Sequence, residues 1–308
     1  MKIDINKAGK ILTNGGLVIF PTETVYGLGG DATNKFAIKK IYQIKNRPMN
    51  NPIICHFKCI NDIEKNFIFN EKSYDLARKF WPGPLTIVLE KKKNSKICSI
   101  LSNNTKYVGC RVPNHSIAHK LLNEINFPLA APSANLSTKL SSTKISHISK
   151  DLLKDVYYLD GGESLYGLES TVISVESNVT KILRLGSITY EQIIKVVPDT
   201  ILNKNNKINL SPGQLSKHYS PNKPIRINVK NVKKEEALLN FGKNNLSSKM
   251  IELNLSYSSD LEEAGKNLYN YLHLLDNSDC VSIAVAPIPN HKLGKTINDR
   301  LKRASFTE

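Results

Sequence analysis

Leu17-Val-Ile-Phe20, broken at once by Pro21, constrains this chain more than any other stretch. Four apolar residues make a short buried strand, and a proline, which brings no N–H to a sheet ladder, ends it. Thr22, Glu23, Thr24 and Tyr26 then crowd in among Gly27, Gly29 and Gly30. Glycine lets backbone approach a ligand closely, and open α/β sheets place their ligands at strand ends. The stretch reads equally well as a strand-to-loop turn or as one wall of a ligand site. Its glycine spacing is not that of a dinucleotide fingerprint, and no Lys-Ser/Thr follows as in a P-loop. A nucleotide held here needs another geometry.

The rest of the chain repeats the theme of strands ending in polar groups. Asn34 to Lys45 is amphipathic, with Ala37, Ile38, Ile41 and Ile44 at helical spacing, and leads through Arg47-Pro48 and Asn51 to the strand Pro52–His56. An extended segment held by prolines aims Lys45 and Arg47 to the same side, which suits a phosphate clamp. Favourable charge at a helix C-terminus is the plainer account, and it fits Lys45 better than Arg47. Arg111, Ser133 with Asn135, Ser170 and Arg184 stand at further predicted strand ends, as do Thr24 and His56. Cations, hydroxyls and amides at the strand ends of one sheet point to an anion-binding cleft. No Ser-His-Asp set, cysteine nucleophile or paired-carboxylate pattern stands out, so the expected chemistry is charge neutralisation, as in nucleotidyl transfer.

Length allows two domains, since 308 residues exceed what one core usually serves. The predicted division is a catalytic α/β domain over 1–200, a linker or lid over 201–224, and a smaller Rossmann-like α/β domain over 225–308. In the last of these the pattern predicts strands at Ile225–Val229, Lys249–Leu255 and Val281–Ala286. It also predicts a helix at Glu235–Leu239, a second with Leu261 to Leu275 on one face, and a closing basic helix at Thr296–Ala304. His218 and Tyr219 are unusual in a mere tether, and they predict a segment that closes over the cleft.

The net charge of +16 invites a polyanionic partner such as RNA or a nucleotide, although a chain so rich in Lys, Asn and Ile also carries the bias of an AT-rich genome. No apolar run approaches the ~20 residues of a membrane span, and Met1-Lys2-Ile3-Asp4 opens no signal peptide. Cys55, Cys59, Cys98, Cys110 and Cys280 form no disulfide framework. A cytoplasmic setting is expected. Cys55 and His56 point to opposite faces of a strand and do not readily share a metal, so His56 can face a pocket.

Taken in order, these segments resemble the YrdC-like family in its long, two-domain form. The matching stretches are Pro21-Thr-Glu-Thr-Val-Tyr-Gly-Leu-Gly29, Lys45-Asn-Arg-Pro48 with Asn51-Pro52, Arg111-Val-Pro113, Pro132-Ser-Ala-Asn135, Asp160-Gly-Gly162, Glu169-Ser-Thr-Val172 and Leu183-Arg184. Ser211-Pro-Gly213, His218-Tyr219 and Ile297-Asn-Asp-Arg-Leu301 match the linker and the appended domain. Each motif is weak alone, and the ordered set spans nearly the whole chain. Leu185 replaces the family's usual proline, and Tyr107 a small hydroxyl residue.

The resemblance implies a twisted mixed sheet with helices. It implies synthesis of threonylcarbamoyl-AMP and pyrophosphate from L-threonine, bicarbonate or CO2, and ATP with its Mg2+, with no metal site in the protein itself. The product would serve the machinery that builds threonylcarbamoyladenosine beside the tRNA anticodon. By the same resemblance, Lys45, Arg47 and Arg184 would neutralise the reacting phosphates. Thr24, His56, Arg111, Ser133 and Ser170 would surround threonine, and Asn51, Tyr107, Asn135, Thr143 and Tyr219 would join the three cations in contacting ATP. Two other readings compete. A double-stranded RNA-binding module would need its cations on an exposed face. A carbamoyl-transfer domain of hydrogenase maturation factors would bring acylphosphatase and zinc-finger segments, which this sequence lacks.

Overall fold

The computed structural model describes residues 1–175, 179–203 and 218–306. Two sheets organise the chain. The larger has 11 strands. In chain order these are β1 (Val18–Phe20), β2 (Gly27–Asp31), β3 (Cys55–His56), β4 (Phe67–Ile68), β5 (Leu85–Lys91), β6 (Tyr107–Arg111), β7 (Leu129–Ala130), β8 (Tyr157–Tyr158), β9 (Thr171–Val175), β10 (Thr180–Arg184) and β11 (Thr200–Leu202). Their spatial order is β11-β10-β9-β5-β6-β3-β7-β2-β1-β8, with β4 beside β5.

Pairing directions decide where the polar ends meet. β5 is antiparallel to β6 and parallel to β9, and β9 is antiparallel to β10. The ends of β6 and β10 therefore share one sheet edge with the starts of β5 and β9. β3 is parallel to β6 in a register that sets His56 beside Arg111. The strand Val18–Phe20 is wholly buried, as its apolar run requires.

The predicted helix after β2 forms as Lys35–Ile44. Asn34 caps it by accepting the N–H groups of Phe36 and Ala37, and Ala37, Ile38, Ile41 and Tyr42 form its buried face. Its end departs from expectation. Lys45 stays helical, and Asn46 enters the left-handed region at φ 49°. The Arg47 and Asn46 amides then bond back to the Tyr42 and Gln43 carbonyls, a Schellman closure. The Lys45–Arg47 segment is not extended, so the alternation expected to aim both cations to one side does not operate.

The smaller sheet comprises β12 (Ile225–Arg226), β13 (Glu236–Asn240), β14 (Glu252–Asn254) and β15 (Ser282–Val285), all parallel in the order β12-β15-β13-β14. β13 corrects the helix predicted at Glu235–Leu239. Glu, Ala and Leu rank among the better helix formers, but a central position between β14 and β15 buries every residue of the segment and overrides that preference. Helices Leu261–Asp276 and Leu293–Ala304 complete this α/β unit.

The core of the smaller unit also takes in Leu140, Leu168 and Tyr219, so the two parts share an apolar seam. At Gly167, φ +67°, an added Cβ would sit 2.4 Å from the Lys266 carbonyl oxygen, which shows how closely the two backbones approach. Of the expected linker, 204–217, including Ser211-Pro-Gly213, lies outside the described residues. His218 to Lys223 runs along the seam, with Asn222 and Lys223 tied to Asp276.

Candidate active site

The shared edge of β3, β5, β6, β9 and β10 opens into a partly enclosed, polar-lined cleft. Thr24, Arg47, His56, Arg111, Ser133, Ser170, Arg184 and Tyr219 all line it, together with Thr22, Tyr26, Glu169 and His218. These residues come from points scattered along most of the chain.

Arg111 anchors the floor. Its Nε donates to the Gly83 carbonyl at 3.2 Å and its Nη1 to Thr24 Oγ1 at 2.9 Å. Its Nη2 lies 2.6 Å from Glu23 Oε1, with both side chains almost wholly buried. That contact is an ion pair rather than an aligned hydrogen bond, because neither Glu23 oxygen meets hydrogen-bond geometry with any group among the described residues. Thr24 is further fixed by the Thr22 hydroxyl at 2.8 Å. Beside Arg111, burial and then the guanidinium charge push His56 down to about 3, so its imidazole is neutral near pH 7.

Arg47 and Arg184 supply the other positive charges. Arg47 Nε and Nη2 donate to the Asn51 carbonyl at 3.1 Å, the Asn51 side-chain oxygen at 2.7 Å and the Pro52 carbonyl at 2.7 Å. Burial lowers Arg47 to about 10, which leaves it a cation at neutral pH. Arg184 Nε and Nη2 donate to the Ser170 carbonyl at 3.2 and 2.7 Å, and Nη2 reaches the Ser170 hydroxyl at 3.1 Å. Thr86 steadies that hydroxyl at 2.8 Å. Buried cations seated on neutral carbonyls interact strongly with phosphate oxygens.

The structure places Lys45 behind the Ser133 loop rather than in the cleft wall. Its fully buried ammonium donates to the Ser133 carbonyl at 2.7 Å and to the Asn135 carbonyl, and it does not line the cleft. It braces the loop that presents Ser133. Asn135 belongs to the same brace: it accepts from Ser133 Oγ and donates to the Leu136 and Lys139 carbonyls. Asn51 sits behind Arg47 rather than in the wall. Thr143 is buried away from the wall, with its hydroxyl 3.2 Å from His147 Nδ1. Tyr107 is 36% exposed at the opposite end of β6 from Arg111, under the Lys106 ammonium, and is also outside the wall.

Tyr219 and His218 close the cleft from the second domain's side. Tyr219 is buried at φ 60°, its ring 4.0 Å from that of His218. Among the described residues neither the Tyr219 hydroxyl nor His218 Nδ1 has a hydrogen-bond partner. Burial holds His218 at about 3, hence neutral.

The sequence reading gives no role to Glu23, Glu169 or Arg300. Both carboxylates lie inside stretches that it singles out, and the signal was there: an acid flanked by hydroxyls at a buried strand end must find a cation. Glu169 finds Arg300, Nε to Oε2 at 2.8 Å. Burial alone would raise its pKa, yet the Arg300 and Arg184 guanidinium groups hold it at about 2.

The Sua5/YciO/YrdC family model, described as telomere recombination, matches residues 10–186, and the threonylcarbamoyl-AMP synthase C-terminal domain matches 188–305. The chain is 35% identical to the threonylcarbamoyl-AMP synthase of Bacillus subtilis over 98% of its own length and 92% of that protein's. It is 33% identical to the Pyrococcus abyssi enzyme of the same name, over 98% and 94%. The crystal structure of P. abyssi Sua5 complexed with L-threonine superposes at a TM-score of 0.89, with 31% identity, covering 99% of this chain and 96% of that one. Escherichia coli YciO, at a TM-score of 0.54 and 25% identity, covers 59% of this chain and 88% of its own.

Proposed function

This chain belongs to the Sua5/YciO/YrdC family of threonylcarbamoyl-AMP synthases, and from that premise we propose that it joins L-threonine, bicarbonate or CO2, and ATP into threonylcarbamoyl-AMP and pyrophosphate. The observation that carries this reading is the convergence of Arg47, Arg111 and Arg184 with neutral His56 and the hydroxyls of Thr24, Ser133 and Ser170 in one cleft.

In the proposed reaction the threonine amine adds to CO2 with loss of a proton. The carboxylate so formed then attacks the α-phosphorus and displaces pyrophosphate. Negative charge spreads over the phosphates as the leaving group departs, and the guanidinium charges of Arg47 and Arg184, seated on Asn51, Pro52 and Ser170, would stabilise it. Arg111, with N–H groups beyond those given to Gly83, Thr24 and Glu23, is the partner for the amino-acid carboxylate. Uncharged His56 adds a hydrogen-bonding group there without a competing charge. Ser133, held out by Lys45 and Asn135, and Ser170 offer hydroxyls to the substrate's polar atoms.

Magnesium is assigned to the substrate. No cluster of three ligating His, Cys, Asp or Glu side chains occurs among the described residues, and the carboxylates nearest the cleft, Glu23 and Glu169, are committed to Arg111 and Arg300. The ion would enter with ATP, and no step is assigned to the protein through it. The labile adenylate would pass to a tRNA threonylcarbamoyl-transfer machinery in the cytoplasm. No helix among the described residues is long and apolar enough to cross a membrane.

An RNA-binding module accounts for the net charge of +16 but not for arginines buried in a concave site. The deciding experiment is pyrophosphate release with ATP and bicarbonate, comparing L-threonine, L-serine and no amino acid. Release that needs threonine and bicarbonate together supports the synthase. Phosphate release indifferent to threonine overturns it.

A further inference from the structure

Arg300 lies on the basic helix Leu293–Ala304, yet it is only 1% exposed. All three of its nitrogens are engaged: Nε on Glu169 Oε2 at 2.8 Å, Nη2 on the Leu185 carbonyl at 2.6 Å, and Nη1 on Asp299 Oδ2 at 2.6 Å. Its guanidinium carbon lies 4.7 Å from the centroid of the Tyr219 ring. Glu169 is closed on its other side by the Tyr269 hydroxyl at 2.8 Å and the Ser141 hydroxyl at 2.5 Å. Arg300 does not line the cleft, but both Glu169 and Tyr219 do.

The same helix is docked elsewhere by contacts that avoid the cleft. Thr296 Oγ1 donates to the Gly186 carbonyl at 3.0 Å, and Lys295 Nζ pairs with Glu191 at 2.9 Å. Adhesion between the domains therefore does not require an arginine aimed at Glu169. A buried carboxylate, by contrast, does require a charged partner. The planar fork supplies one while also seating Leu185 and covering Tyr219, a combination that lysine cannot reproduce.

We infer that Arg300 is a positioning residue for the active site: from behind the wall it fixes the Glu169 carboxylate and the Tyr219 ring, so the second domain shapes the cleft as well as covering it. The inference deepens the synthase reading and rests on it for its kinetic test. Hydrogen exchange supplies a test that does not depend on that reading.

The experiment uses the full chain. Arg300→Lys is expected to raise the KM for ATP or L-threonine by ~10-fold or more, while kcat falls less than about threefold. Amides of Leu168–Val172 should exchange faster in the same variant without substrates. Lys295→Ala, which removes a half-exposed pair on the same helix, should keep both constants within about twofold. Adding Glu169→Gln to Arg300→Met should recover part of the loss, because it removes the buried charge left behind. KM unchanged in Arg300→Lys with unchanged exchange overturns the inference. So does equal damage in Arg300→Met with and without Glu169→Gln, which also decides the matter if Arg300→Lys does not fold. Wild-type turnover indifferent to threonine would sink the synthase reading alone, since faster exchange around Glu169 would still stand.

Discussion

His147 and His273 lie face to face across the seam between the two sheets, ring centroids 4.1 Å apart and planes within 18°. His147 also contacts the Asn270 side chain at 3.2 Å and the Thr143 hydroxyl, and His273 contacts the Ser141 carbonyl at 3.1 Å. The charged groups near them are Lys144, which opposes protonation of both, and Asp276, which favours that of His273. Burial, then the facing ring, pushes His147 down to about 3, and burial also lowers His273.

Both folded-state pKa values thus lie below the unfolded value of about 6.5, and the unfolded chain binds more protons in the interval between them. The stability these rings contribute is present above about pH 6.5 and is lost as pH falls toward 3. Thermal midpoints should therefore drop from about pH 7 to about pH 5, and the double variant His147→Gln/His273→Gln should drop less. Identical slopes would show that the stack is not the acid-sensitive element. His56 and His218, also held at about 3, and His115, lowered by burial, would contribute to the slope that remains.

Arg47→Ala and Arg184→Ala should each lower kcat by on the order of 10²-fold, because on the proposed reading each removes a buried positive charge that offsets developing phosphate charge. Circular dichroism should show the fold retained. Near-normal turnover in both would mean that these guanidinium groups serve only to hold Asn51 and Ser170.

Lys45 is expected to behave differently from the arginines. Lys45→Met leaves the Ser133 and Asn135 carbonyls without their donor, a loss of about 1–3 kcal/mol in urea unfolding. Its kinetic effect should fall on substrate KM through a loosened Ser133 loop. A large kcat loss at unchanged stability would restore Lys45 to the phosphate clamp.

A chain ending at Asn203 should fold, since the larger sheet has its own apolar core around Ile19, Ile41, Ile87 and Ile173. It should bind ATP and threonine at least ~10-fold more weakly, lacking His218, Tyr219 and Arg300. Calorimetric titration checks this, and equal affinities would reduce the second domain to an appendage.

Much of the cleft was legible because residue type and strand end coincide. Thr24, His56, Arg111, Ser133, Ser170 and Arg184 are polar groups where an apolar run stops, and pairing directions bring those stops to one edge. The relative aim of Lys45 and Arg47 escaped because a left-handed Asn46 lies between them, and asparagine only permits that conformation without announcing it. β13 escaped because its residues favour helix in isolation while their burial is set by strands that follow in the chain. Arg300 was hidden by its setting. On a helix that also carries Lys302 and Arg303, one cation reads as surface charge, and its partner lies 131 residues away.

That separation bears on how the protein is made. Translation delivers Thr24 well before Arg184, and Arg184 well before Arg300. The first domain can fold as it emerges, but Glu169 has its cationic partner only once the closing helix Leu293–Ala304 has docked. Until that helix docks the cleft is unfinished, so the assembled enzyme and the capacity to release a short-lived adenylate would arise together.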